Sequence, residues 1–221
     1  MTGTDIWAVV PVKEFDGAKQ RLAGFLSPAQ RRVLAATMVE EVLAAIAGVS
    51  GLAGVLVVTV DAEAAALGRR VGARIVSQGA RGGHTGSVNA AIRVLVGEGR
   101  GGMITLPGDI PAVTSAEIEA VLAAQGAAPA FTIAAAHDDQ GSNAVLCSPP
   151  DSVPLRFGDN SFFPHLDAAR ACGIAPSVLR LPGIGMDIDH PADLMAFARL
   201  PQAAGTRTLR YLESEGILLN G

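Results

Sequence analysis

The chain predicts an α/β fold: one three-layer α/β/α domain around a mostly parallel sheet with a late antiparallel excursion. Three observations carry this. Short apolar runs alternate with longer stretches of helical period, the rhythm of β-α-β units. Two apolar runs stand next to each other at 130–148 with no helix between them, which implies a local antiparallel return. No repeat, linker or low-complexity segment interrupts the 221 residues, and 49% hydrophobic against 17% charged residues suits one well-filled core.

"IWAVVPV" (6–12) reads as a buried strand. A helix follows at 27–49, with Ser27 as N-cap, Pro28 at its first position and Leu34, Met38, Val42 and Ile46 on one face. "GVLVVTV" (54–60) is the next strand, Asp61 opens a helix over 61–72, and 73–77 is a strand. "SVNAAIRVLVG" (87–97) reads as a helix capped by Ser87, followed by a strand at 102–106 and a helix at 114–124. Strands at 130–136 and 143–148, a helix near 161–172, a strand at 177–181 and a helix at 191–200 complete the order. The tail from Pro201 to Gly221 predicts a last amphipathic helix, at which a homodimer contact could form.

The net charge of −4, without a basic stripe or tail, argues against nucleic-acid binding. No apolar run approaches the ~18 residues of a membrane helix. The N-terminal residues lack the pattern of a secretory leader, and Cys147 and Cys172 make neither a disulfide framework nor a zinc spacing. A cytoplasmic protein is the expectation.

In such sheets ligands lie beyond the carboxyl ends of the strands, so the loops there are the places to search. The first, "VKEFDGAKQRL", sets Lys13, Lys19 and Arg21 within nine residues, a flexible basic loop suited to a triphosphate. The third, "SQGARGGHTGSVNAA", has four glycines that let backbone approach a base or sugar closely. The fourth, "LPGDIPAVT", places Asp109 directly after a buried strand. Late in the chain "GIGMDIDHPAD" holds Asp187 and Asp189 one residue apart. In an extended strand they would share a face and repel by roughly 2–3 kcal/mol at an effective dielectric of ~20. Joined by Asp109 they make an oxygen-rich cage for one or two Mg²⁺ ions, which would remove that repulsion. A formal G-x-G-x-x-G at Gly97, Gly99 and Gly102 precedes a strand instead of following one and is a turn.

The segments "VPVK…AKQRL", "SPAQRR", "VNAAI", "LPGDIP", "GSNAVL", "FGDNSF" and "MDIDHPADL" stand in order along nearly the whole chain. As an ordered set this resembles the guanylyltransferases that activate phosphoenolpyruvate, 2-phospho-L-lactate or 3-phosphoglycerate for biosynthesis of a deazaflavin coenzyme, F420. That family is similar in fold to the molybdopterin-guanylyl and sugar-nucleotidyl transferases, a Rossmann-like nucleotidyltransferase architecture. The resemblance implies one domain over 1–221, with a nucleotide half to about 125 and an acceptor half from about 126. It implies Mg²⁺ on Asp109, Asp187 and Asp189, and GTP phosphates on Lys13, Lys19 and Arg21, these three and Asp109 forming the catalytic set. It places the guanine along Gly86, Ser87 and Asn89, and the acid acceptor at Ser142, Gly158 and Ser161. A downstream enzyme would then take the unstable guanylylated product. Where the family usually shows G-P-G-S, this chain has Gly158-Asp159-Asn160-Ser161, adding a negative charge near an anion site unless Asp159 points away or meets Arg156.

Three other readings exist. A molybdopterin or sugar-phosphate nucleotidyltransferase would carry a glycine-rich first loop where this chain has "PVKEFDGAK". A glycosyltransferase would use "DID" as its D-x-D pair, but earlier in the chain. A non-catalytic nucleotide-binding regulator would be free to lose the three carboxylates and the basic loop, and all are present.

Overall fold

The computed structural model describes residues 5–158 and 160–220. Seven strands form one sheet in the order β3-β2-β1-β4-β6-β5-β7. They are β1 (Ile6–Pro11), β2 (Leu52–Val58), β3 (Arg74–Val76), β4 (Gly102–Thr105), β5 (Ala130–Ala135), β6 (Ser142–Ser148) and β7 (Ser177–Leu179). Only β6 runs against its neighbours, antiparallel to both β4 and β5; the other pairings are parallel. The late antiparallel return is therefore the strand that closes the two halves of the sequence into one sheet.

Alternation along β1 sorts its residues between two apolar layers. Ala8 and Val10 pack with α1 (Pro28–Ala47), α2 (Ala62–Arg70) and α4 (Ser115–Ala123). Val9 faces the other way, toward α3 (Gly83–Gly97) and α5 (Phe162–Ala171). A third cluster lies beyond the sheet, where Leu34 and Met38 of α1 meet Ile188, α7 (Pro191–Ala198) and Leu212 of α8 (Arg207–Ser214). The tail thus buries its apolar face on α1 of its own chain, and the Tyr211 hydroxyl donates to the Gln30 carbonyl at 3.1 Å.

Local chemistry starts these helices where the side chains allow. Ser27 and Gln30 form a reciprocal capping box ahead of Pro28, and Thr114 caps α4. Asp61 has two tasks. Its Oδ1 accepts from the Glu63 and Ala64 amides to cap α2, while its Oδ2 accepts from the Phe15 amide at 2.9 Å. With Phe15 buried and Arg31 donating to the Ala18 and Leu26 carbonyls, the basic loop after β1 is pinned, against the sequence expectation of a flexible one.

Two other expectations are corrected. Helix α3 begins at Gly83, four residues before Ser87, which lies inside the helix. Its glycine-rich first turn is held by tertiary contacts that offset poor helix propensity. Thr85 exchanges hydrogen bonds with the Phe157 backbone at 2.9 and 3.1 Å. A Cβ on Gly79 would sit 2.5 Å from Ala90 Cβ, so only glycine lets this loop close on the helix. Second, residues 187–189 are irregular backbone, not strand, and follow a one-turn helix, α6 (Pro182–Gly185), that periodicity did not reveal. Cys147 pairs with Met103 at the far end of β6 from Ser142 and packs in the core, where burial pushes its thiol up to about 12.

The start of α6 depends on a buried carboxylate. Glu117 of α4 accepts from the Gly183 and Ile184 amides at 2.8 and 3.1 Å, satisfying two N–H groups that the short helix leaves open. Glu117→Ala strips both acceptors and is expected to lower unfolding free energy by about 3 kcal/mol in urea titration, with Glu117→Gln losing less because one acceptor oxygen remains.

Candidate active site

The strand order reverses direction at β1, between β2 and β4, and a broad cleft opens over the carboxyl ends of β1 and β4. The loop after β1, the exit of β4, the β5–β6 turn and the 187–193 segment all reach it. One backbone bond fixes the last of these. The Ile188 amide donates to the Asp109 carbonyl at 3.0 Å, and the Ile188 side chain is fully buried in the third cluster. Asp187 and Asp189 flank this anchored residue, so both are held at the cleft beside Asp109. That answers why two like charges stand one residue apart.

Between two of them lies an ammonium. Lys19 Nζ donates to Asp109 Oδ2 at 2.7 Å and to Asp189 Oδ1 at 2.8 Å, and Arg21 Nη1 donates to Asp189 Oδ2 at 2.9 Å. The Lys19 backbone is left-handed, with φ of 52°, which turns the side chain inward at the start of a short 3₁₀ turn. Burial alone would lower the Lys19 pKa, but the two carboxylates outweigh it and hold the ammonium above its ordinary value. Burial likewise pushes Asp189 up, yet Lys19 and Arg21 leave it below the ordinary aspartate value. Asp187 goes the other way. Burial raises its pKa, the like charges on Asp109 and Asp189 add to that, and the Asn143 hydrogen bond at 2.9 Å opposes them.

Among the described residues, no three His, Cys, Asp or Glu side chains close on a common metal-ligand point. Lys19 instead joins two of the three aspartates. The donor chemistry nevertheless suits Mg²⁺, a hard cation that takes one or two carboxylates and completes its shell with substrate phosphates.

The other expected residues divide. Lys13 is exposed and lines the cleft, as do Ser87, Ser142, Gly158 and Ser161; Gly86 and Asn89 lie on α3 outside its lining. Arg81, Gly83 and His84 line it in their place. Asp159, the residue that adds a charge to this chain, lies outside the described residues. On the acceptor side, Ser142 and Ser161 are both buried and bonded to each other at 3.2 Å.

The model of the family described as "Guanylyl transferase CofC like" matches residues 6–220. The chain belongs to that family. It is accordingly a nucleotidyltransferase. A relative named phosphoenolpyruvate guanylyltransferase, from Rubrobacter xylanophilus, is 37% identical over 91% of this chain and 96% of its own length. A solved structure from Desulfovibrio desulfuricans G20, assigned to the nucleotide-diphospho-sugar transferases, superposes with a TM-score of 0.77 over 98% of both chains at 17% identity. Glucosyl-3-phosphoglycerate synthase of Mycobacterium tuberculosis, solved with Mn²⁺ and UDP, shares the fold at a TM-score of 0.58 and 14% identity over 96% of this chain and 80% of its own.

Several site residues of this guanylyl transferase were not singled out by sequence. Asp193 Oδ2 accepts from the Asp189 and His190 amides at 2.9 and 2.6 Å, which fixes the loop carrying the aspartates. Pro191 at the first helical position with Asp193 in the first turn is a helix-start signal in which Asp193 could have been read. Asn143 donates to the Ile184 and Gly185 carbonyls as well as to Asp187, and no local pattern marks it.

The two shifted aspartates titrate with opposite effects on stability. Asp189, held low, stabilises the fold above the ordinary value of 3.8, and that contribution is lost as pH falls through its folded pKa. Asp187, held high, carries a penalty that appears as pH rises through its folded pKa. Asp187→Asn is therefore expected to raise Tm at pH 7 and to lose that advantage in acid. Lys19→Met is expected to cost about 1–3 kcal/mol at pH 7, discounted from a fully buried pair because both carboxylates reach solvent, with the gap narrowing as pH falls below that same value. Thermal unfolding from pH 3 to 8 checks both.

Proposed function

We propose that this enzyme transfers GMP from GTP to phosphoenolpyruvate, releasing pyrophosphate, and so supplies the activated acid for the deazaflavin coenzyme F420. The observation that carries the reading is the convergence of Lys13, Lys19 and Arg21 with Asp109, Asp187 and Asp189 at one cleft in a chain of this family. The choice of phosphoenolpyruvate over 2-phospholactate and 3-phosphoglycerate is supported by the name of the relative 37% identical to this chain.

The chemistry joins two polyanions. A phosphate oxygen of the acceptor attacks the α-phosphorus of GTP, a new P–O bond forms, and the bond to the bridging oxygen breaks as pyrophosphate leaves. A phosphomonoester has its second pKa near 6, so the nucleophile is mostly a dianion at neutral pH and needs no general base. His84 and His165 would be poor bases: burial lowers each to about 4, so neither ring holds a proton well at pH 7. What remains is positioning and charge neutralisation.

The basic loop supplies part of this. Lys13 and Arg21, exposed at the rim, reach phosphate oxygens, while Lys19 holds Asp109 and Asp189 in register. Those two carboxylates and Asp187 are the residues that would hold Mg²⁺, as the Mn²⁺-containing glycosyl synthase of the same fold suggests for this class. Bound there, a divalent ion would neutralise the phosphates and act as a Lewis acid. The Ala80–Ser87 stretch is assigned to the base, and the Ser142–Ser161 pair to the acceptor.

A pyrophosphate-release assay crossing GTP, ATP, CTP and UTP with the three phosphorylated acids and a sugar 1-phosphate tests the proposal. Release with GTP and phosphoenolpyruvate, dependent on Mg²⁺, is the expected result. Release only with a sugar phosphate, or with none of the three acids, would overturn it. Arg21→Ala should raise KM for GTP about tenfold or more while leaving KM for the acid nearly unchanged.

A further inference from the structure

Behind the acceptor side of the cleft runs a short hydrogen-bonded chain whose direction is fixed from one end. The Arg156 backbone N–H donates to His165 Nε2 at 3.1 Å. A backbone amide can only donate, so Nε2 must be the bare, accepting nitrogen of the ring. His165 is 2% exposed, and burial, with His84 nearby, lowers its pKa to about 4, so the ring is neutral at pH 7. A neutral ring with a bare Nε2 carries its proton on Nδ1. Nδ1 lies 2.9 Å from Ser142 Oγ, and Ser161 Oγ lies 3.2 Å from the same oxygen.

Counting hydrogens then decides the matter. Nδ1–H and the two hydroxyls bring three hydrogens, and the chain His165–Ser142–Ser161 uses two. With Nδ1 donating and Ser161 donating, both lone pairs of the Ser142 oxygen are taken and its own hydrogen is left over. Among the described residues no protein group accepts it, and Ser142 and Ser161 both line the cleft. In the opposite tautomer the Arg156 amide would meet an N–H, and the two hydroxyl hydrogens would be used up within the chain. Ser161 and His165 stand one helical turn apart, the His165 amide bonding the Ser161 carbonyl, so one helix end presents both.

We propose that His165 is a positioning residue, held as the Nδ1–H tautomer, that commits the Ser142–Ser161 pair to donate one hydroxyl hydrogen into the cleft, onto an anionic oxygen of the phosphorylated acid. The identity of that anion rests on the reading of the function above; the polarity of the chain does not. The cost of error is asymmetric. A reversed chain would turn lone pairs toward an anion.

The ¹⁵N NMR spectrum of wild-type protein labelled at histidine reads the tautomer directly at pH 7, without turnover. A protonated Nδ1 and a bare Nε2 on His165 are expected; the reverse overturns the proposal. Two variants add kinetics. Asn places an amide donor near the Nδ1 position, whereas Gln reaches the Nε2 position and leaves Ser142 without its donor. His165→Gln should raise KM for phosphoenolpyruvate at least tenfold with KM for GTP within twofold, and His165→Asn should restore it to within about threefold. In a Ser142→Ala/Ser161→Ala background, His165→Gln should add less than twofold. Equal loss in both His165 variants, or loss expressed in the GTP KM, overturns the positioning role. A wild type that turns over none of the three acids defeats the functional reading instead, and the NMR result then decides the polarity alone.

Discussion

A single ammonium organises this cleft. Lys19 Nζ bridges carboxylates from residues 90 and 170 positions away, at 2.7 and 2.8 Å. Without it Asp109 and Asp189 would face each other with only Arg21 left on the outer oxygen of Asp189, at a cost of a few kcal/mol for an effective dielectric of ~20. With it, the loop after β1, the exit of β4 and the segment before α7 become one unit. The rest of the architecture serves that junction: Asp61 and Phe15 pin the basic loop, Ile188 ties its amide to Asp109, Asp193 holds the amides beside Asp189, and Glu117 seats the turn before them.

The fold was largely legible because its signals are local and repeated. Buried strands read as apolar runs, Ser27 and Asp61 announced their helices, and the two adjacent apolar runs at 130–148 announced the antiparallel strand. What failed to show was set by tertiary contact. Helix α3 starts among glycines because Thr85 and Gly79 pack where sequence does not record it. The short helix before Asp187 exists because Glu117, some 66 residues earlier, accepts its amides.

The site was legible in its charges and not in their connections. Basic residues after a first strand and acidic ones after a fourth are visible in any reading of the chain. That Lys19 would turn inward through a left-handed backbone and bridge two aspartates is not, since lysine rarely adopts that conformation. Nor does sequence reveal a register shift at the Ala134–Ala135 end of β5, beside which Ser142 turns to His165 while Asn143 turns to Asp187. Consecutive residues of one strand thereby serve opposite sides of the cleft. Asp187 stands half-buried near two like charges, and burial together with those charges holds its carboxyl above the ordinary aspartate value.

The central claim is that the three aspartates together receive a divalent ion with the nucleotide. Mn²⁺ binding followed by electron paramagnetic resonance, with and without GTP, tests it most directly in wild type and in Asp109→Asn, Asp187→Asn and Asp189→Asn. The expected result is tight Mn²⁺ binding in the presence of GTP that each substitution weakens at least tenfold. Undiminished Mn²⁺·GTP binding in the triple Asp109→Asn/Asp187→Asn/Asp189→Asn variant would contradict it.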